Sequence, residues 1–170
     1  MLDAILNRRS VRFYRNEPVP DEKILEIIQA GFYSPGAHGN QPWHVVVVKD
    51  AETRNKLSVM HKWTRHIRSA PVSLVVCVDK RELPQFWVED AASFMSSLLL
   101  EATNQDLGSC WIAIRGVVAD GIDAEQTVRD LCNIPEYMEI LGITPLGYAA
   151  RHPGPHTTTI PEDRVHLERF

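Results

Sequence analysis

Gln85-Phe86-Trp87-Val88-Glu89-Asp90-Ala91-Ala92-Ser93-Phe94-Met95-Ser96-Ser97-Leu98-Leu99-Leu100-Glu101-Ala102-Thr103-Asn104-Gln105-Asp106 is the longest helical pattern in the chain. Ala91, Ala92, Phe94, Met95, Leu98, Leu99, Leu100 and Ala102 occupy more than one stripe, whereas a surface helix shows a single apolar face. Such a helix has to be covered on several sides, so it lies in the middle of the molecule or at a subunit interface. Leu83-Pro84 marks its start, because proline is tolerated in a first helical turn, and Gly108 terminates it.

Outward from this helix, strands and helices alternate. Leu2, Ile5 and Leu6 have helical spacing and predict a short opening helix. Asp21 caps a second helix, with Ile24, Leu25, Ile27 and Ile28 on its buried face and Gly31 and Ser34-Pro35-Gly36 ending it. Trp43 to Lys49 reads as a strand buried on both faces, followed by a helix from Ala51 to Met60. Val72 to Val78 and Ser109 to Arg115 read as further strands, and Ala124 to Cys132 as a helix. Ile140 to Ala149 is a fourth strand, interrupted by Pro145. The tail beyond Arg151, with Pro153, Gly154 and Pro155, forms no core element of its own. No linker divides the 170 residues, which suffice for one domain with a sizeable core.

With 44% hydrophobic and 24% charged residues the composition is that of an ordinary globular protein, and no apolar run is long enough to span a bilayer. The start of the chain has no basic, apolar and small-residue leader pattern, so a cytoplasmic location is the expectation. A formal charge of -4 argues against a general nucleic-acid binder. Cys77, Cys110 and Cys132 are far apart in apolar surroundings and read as reduced thiols; His61 and His66 lack a metal-ligand spacing, so no metal is expected. Neither a G-x-G-x-x-G nor a Walker phosphate loop is present.

Against this acidic background Arg8-Arg9-Ser10-Val11-Arg12 stands out. Three arginines and a hydroxyl within five residues can surround a phosphate with forked, permanently charged donors. With Ser34-Pro35-Gly36-Ala37-His38-Gly39-Asn40-Gln41-Pro42-Trp43 and Leu107-Gly108-Ser109-Cys110-Trp111-Ile112, in that order and spacing, it resembles the nitroreductase family of flavin-dependent oxidoreductases in its compact version. Phe86-Trp87-Val88-Glu89-Asp90 and Val165-His166-Leu167-Glu168-Arg169-Phe170 support the likeness, which covers nearly the whole chain.

The resemblance implies an α+β fold: a three-layer α-β-α sandwich around a central mixed sheet, in an intertwined homodimer with FMN at the interface. The arm of about residues 151–170 would pack on the partner subunit. It implies Arg8, Arg9 and Ser10 at the phosphate and ribityl end of FMN, Arg12 on the pyrimidine side, and Pro35, Gly36 and Ala37 close to the ring from the partner. Asn40 and Gln41 would serve the ring edge, and backbone of Ile112, Ala113 and Ile114 would lie near the flavin N5. The chain departs from the family pattern at Gly39, where an asparagine is common, and at Thr159, where a basic residue often reaches the phosphate; Thr157 to Thr159 could donate hydroxyls instead. His61 and Trp63, in the aromatic and basic stretch Met60 to His66, and Trp87 are the substrate-side candidates. The activity implied is hydride transfer from NADH or NADPH through FMN to an electron-poor small molecule, with no catalytic side chain of its own. The alternative is an FMN carrier or sensor without turnover.

Overall fold

The computed structural model describes residues 1–82 and 85–170. Helix α1 (Asp3–Asn7) is followed by α2 (Asp21–Phe32), β1 (Trp43–Val48), α3 (Ala51–Leu57), β2 (Val72–Asp79) and α4 (Trp87–Asn104). Two short strands, β3 (Gly108–Ser109) and β4 (Ile112–Ala113), precede a hairpin of β5 (Val118–Ala119) and β6 (Ile122–Asp123). Helix α5 (Ala124–Cys132) and strand β7 (Met138–Gly147) complete the body, and the tail carries only a short helical turn, Glu162–Arg164.

The sheet order is β1-β2-β7-β3, with β4 also on β7. Its ladders are antiparallel, and the parallel element is a bridge between Ser10 and Ser109. Side chains alternate across a strand, so β2 serves two cores at once. Leu74, Val76 and Val78 face α2 and α4, where they meet Ile24, Ile27, Phe94 and Leu98. Val75 and Cys77 face the opposite layer with Leu57 of α3, Val128 of α5, and Ile140 and Ile143 of β7. Helices thus cover both faces of an α+β sandwich, and α4 runs through the larger core, as its apolar stripes require.

Several local expectations are corrected. Asp21 is the first helical residue of α2 and makes no capping hydrogen bond; Pro20 holds the cap position. Leu25 is exposed, and Gly31, inside α2 rather than after it, lies under the Phe94 ring. Strand β1 is an edge strand with His44 and Val47 exposed, not buried on both faces. Helix α3 stops at Leu57; Asp50 caps its other end through the Thr53 amide. The expected start of α4 at Leu83-Pro84 lies outside the described residues; the helix is in place from Trp87. It ends at Asn104, where Asp106 takes a left-handed conformation (φ 61°) that lets the Leu107 amide reach the Ala102 carbonyl at 2.8 Å.

Pro145 does not interrupt β7. The break falls on its neighbour: β3 pairs Ser109 with Leu146 and β4 resumes with Ile112 opposite Ile143, so the proline without an N–H stands where this ladder has a gap. Consequently the expected strand Ser109 to Arg115 is two short pieces. The hairpin turn Asp120-Gly121, with φ of 51° and 79°, is the mirror-image turn that matches strand twist.

Candidate active site

The arginine segment is held against the sheet as extended chain. The Val11 amide donates to the Ser109 carbonyl at 2.9 Å, and the Arg15 amide to the Tyr148 carbonyl at 2.8 Å. Gly108 makes this approach feasible, since a Cβ there would lie 2.7 Å from the Val11 side chain. The Tyr14 hydroxyl donates to the Val11 carbonyl at 2.7 Å, and burial pushes its pKa up, so it stays a neutral donor. With Val11 buried, the alternation of extended chain turns Arg12 outward.

Arg12 there borders a cavity of about 650 Å3. Cys110, Trp111, Ile112 and Ala113 form one wall, His61, Lys62, Trp63 and His66 a second, and Val117, Ala119 and Asp120 of the hairpin region a third. The volume and the mostly apolar walls with few polar groups suit an aromatic ligand. Among the described residues Arg12 makes one long contact, from Nη1 to the Ser10 carbonyl at 3.4 Å, which leaves most of its donors for an anionic or carbonyl group. Buried polar atoms of this region, His61 Nε2, His66 Nε2 and Ser109 Oγ, also have no hydrogen-bond partner. A flat heterocycle rich in carbonyls and ring nitrogens fits between these apolar walls with the Arg12 guanidinium at its edge.

The His61–His66 stretch is ordered by Thr64, whose buried hydroxyl donates its one hydrogen to the His61 carbonyl at 2.7 Å, with the Ser58 carbonyl a second acceptor within reach at 3.1 Å. Burial, and then the Arg12 charge, lower the His66 pKa to about 4. Between about pH 4 and 6.5 the unfolded chain binds a proton that folded His66 refuses, so unfolding takes up a proton and stability falls as pH drops. With the ring partly screened by solvent, the loss is about 1–2 kcal/mol. Urea unfolding at pH 7 and pH 4.5 should show a smaller acid-induced loss for His66→Gln than for the parent; equal losses would contradict this.

Of the predicted residues, Arg12, Ile112, Ala113, His61 and Trp63 share this cavity. Ile114 is fully buried in the core behind it. The loop bearing Pro35, Gly36, Ala37, Asn40 and Gln41 is not among its lining residues and is built by the other layer. Its Ala37 amide donates to both carboxylate oxygens of buried Asp90 in α4, at 3.1 and 3.0 Å. A Cβ on Gly36 would lie 2.4 Å from the Asn40 carbonyl. Asn40 Nδ2 contacts the Glu82 carbonyl at 3.4 Å, and Gln41 Nε2 donates to that of Phe32 at 3.0 Å. Trp87 packs at the edge of the α2/α4 core with the Arg115 guanidinium 5.6 Å from its ring centre, and does not line the cavity. Thr159 is exposed.

Sequence reasoning missed Asp90 as the anchor of the 35–41 loop and the hairpin as a cavity wall; within the stretch Met60 to His66 it singled out His61 and Trp63, and Lys62 and His66 line the cavity as well. Asp90 had a legible signal, a carboxylate in the first turn of an otherwise apolar helix. The hairpin had one in Asp120-Gly121.

The Nitroreductase family profile matches residues 5–64 and 58–148. A protein of Methanothermobacter thermautotrophicus, provisionally named NADH dehydrogenase/NAD(P)H nitroreductase, is 35% identical over 172 residues, covering 100% of this chain and 87% of its own. The FMN-dependent nitroreductase of Clostridium difficile R20291 superposes with a TM-score of 0.92 at 29% identity, over 100% of both chains. The NADPH:FMN oxidoreductase of Vibrio harveyi, solved with NAD+, gives 0.82 at 26% identity, over 99% of this chain and 76% of its own. A cavity bordered by Arg12, though not by Arg8, Arg9 or Ser10, and by the strand after α4, on an α-β-α frame shared with these flavin-linked enzymes, defines the class. The chain belongs to the nitroreductase family.

Proposed function

We propose that the chain is an FMN-dependent oxidoreductase that takes hydride from NADH or NADPH and passes it to an electron-poor acceptor, a nitroaromatic, quinone or activated alkene, in ping-pong order. The single observation that carries this reading is the cavity joining Arg12 to the 110–113 wall. FMN, when bound, supplies the hydride-accepting ring, and the protein supplies binding, orientation and electrostatics.

Arg8 and Ser10 are assigned to the phosphate and ribityl end and Arg12 to the pyrimidine edge, where a fixed cation stabilises the negative charge of the reduced ring. Backbone of residues 112–114 borders the reacting side. His61 and Trp63 lie on the substrate side, where one open place admits the nicotinamide and then the acceptor. In this proposal Pro35, Gly36, Ala37, Asn40 and Gln41 serve the flavin of a second copy in a homodimer, held in shape by Asp90; Trp87 approaches the acceptor from that side. The exposure of Phe13, Ile160, Val165, Leu167 and Phe170 supports such an assembly, because apolar surface of this kind marks association sites. Residues 1–170 act as one flavin-binding domain with an exchanged arm. The free thiols of Cys77, Cys110 and Cys132 accord with a cytoplasmic setting.

The test is the absorption spectrum of the purified protein with FMN, followed by anaerobic NADH or NADPH. Flavin bands should bleach with a nucleotide and return with 1,4-benzoquinone. Bands that persist would make the chain a flavin carrier, and failure to retain FMN would remove the reading.

A further inference from the structure

The three arginines of the segment are not equivalent. Arg9 Nη1 donates to the carbonyls of Gly154 at 2.7 Å and Pro155 at 3.1 Å. Nη1 carries two of the five guanidinium N–H donors, so these two carbonyls use both and tie the head of Arg9 to the tail, with Nε–H and Nη2–H outside this contact. The same stretch of tail is fastened to the end of α1. The His156 amide donates to the Leu6 carbonyl at 2.9 Å, one of the orphan acceptors that a helix leaves at its C-terminus. The His156 Nε2 donates to the Arg8 carbonyl at 2.8 Å. Gly154 takes φ 84°, a conformation side chains rarely adopt, and its amide donates to His152 Nδ1 at 3.1 Å. Residues 152–156 are therefore a shaped junction between body and arm, with Arg9 at its centre. Among the described residues Arg12, by contrast, has one long contact, and the Arg8 guanidinium has a 3.5 Å approach to His156.

The geometry points to Arg9 as a positioning residue: it pins Gly154–Pro155 so that the arm leaves the body beside Arg8, and Thr157–Thr159 are thereby presented to the FMN phosphate. This rests on the flavin reading above. It gives Arg9 a task in the body-to-arm junction and accounts for an arm that lacks a cation at Thr159: the hydroxyls need a fixed point of departure to be of use.

The test compares Arg9→Gln in two backgrounds, the parent chain and a Thr157→Ala/Thr158→Ala/Thr159→Ala variant. FMN and riboflavin titrations followed by flavin fluorescence give Kd, and trypsin cleavage at exposed Arg151 and Arg164 reports the arm. The expected results are at least fivefold faster loss of the arm and an FMN Kd raised about tenfold in the parent chain. In the triple-alanine background the further effect of Arg9→Gln on Kd should be under twofold. A tenfold rise in both backgrounds, with the preference for FMN over riboflavin lost in each, would make Arg9 a direct ligand and overturn the proposal. An unchanged trypsin rate, or an unchanged Kd in a chain that binds FMN, would overturn it as well. If the parent chain binds no FMN, the functional reading fails, and trypsin cleavage of the flavin-free protein still decides whether Arg9 anchors the arm.

Discussion

Phe94→Ala should lower the free energy of unfolding by about 3–5 kcal/mol, the scale for removing a fully buried aromatic ring. The ring is fully buried, packs edge-on to Phe32 with centroids 5.3 Å apart, and tilts against Trp43 at 5.3 Å. It joins α2, α4 and β1, so its loss loosens three elements together. For a chain of this size the midpoint of thermal unfolding should fall by about 10 °C or more. Gly31 makes the argument sharper. An added Cβ would lie 2.6 Å from two atoms of this ring, so Gly31→Ala should destabilise the parent chain by about 1–3 kcal/mol through overpacking. In the Phe94→Ala background the same change meets open space and gains helix propensity of up to about 1 kcal/mol, so its sign should reverse. Urea unfolding of the four proteins checks this. Additive effects would show that the close approach is not what requires glycine at 31.

Arg12→Gln is expected to weaken FMN binding about 10- to 100-fold, corresponding to about 1.5–3 kcal/mol for a hydrogen bond to a charged group. It should also slow bleaching by NADH, because the cation that stabilises the reduced ring is gone. Arg12→Lys should fall between the two, since it keeps the charge without the fork. Fluorescence titration with FMN and anaerobic stopped-flow bleaching measure the two effects separately. An Arg12→Gln protein whose Kd lies within twofold of the parent would remove Arg12 from the flavin site. Arg12 suits this test because Val11 and Tyr14, not Arg12, hold the segment to the sheet, so the substitution leaves the frame intact.

The family resemblance rested on short motifs whose residues carry local chemistry: the charge fork of Arg8 to Arg12, the Pro35-Gly36 turn, the glycine before Ser109. These are legible because a turn or a cluster of cations depends on neighbours in sequence. The layered frame was legible too, since the apolar run Val72–Val78 and the multiple stripes of α4 mark elements that must be covered on more than one side. Legibility failed where a residue's role depends on a distant partner. Gly31 looked like a helix stop because nothing near it in sequence announces the Phe94 ring. Gly108 looked like a helix terminator, yet Asp106 does that work and Gly108 is required by Val11, nearly a hundred positions earlier. The sequence reading treated Arg9 as the equal of Arg8, because charge and spacing do not reveal that its Nη1 is tied to the carbonyls at 154 and 155.

By itself, then, the amino-acid sequence determined the class of fold, the order of its main helices and strands, and the family to which the chain belongs, because hydrophobic period and turn chemistry act over a few residues. The tertiary structure alone decided that Arg9 is tied to the tail, which carboxylate anchors the 35–41 loop and that the 117–120 hairpin region closes the pocket. Those assignments are contacts between segments far apart in the chain, and only packing brings them within hydrogen-bonding distance.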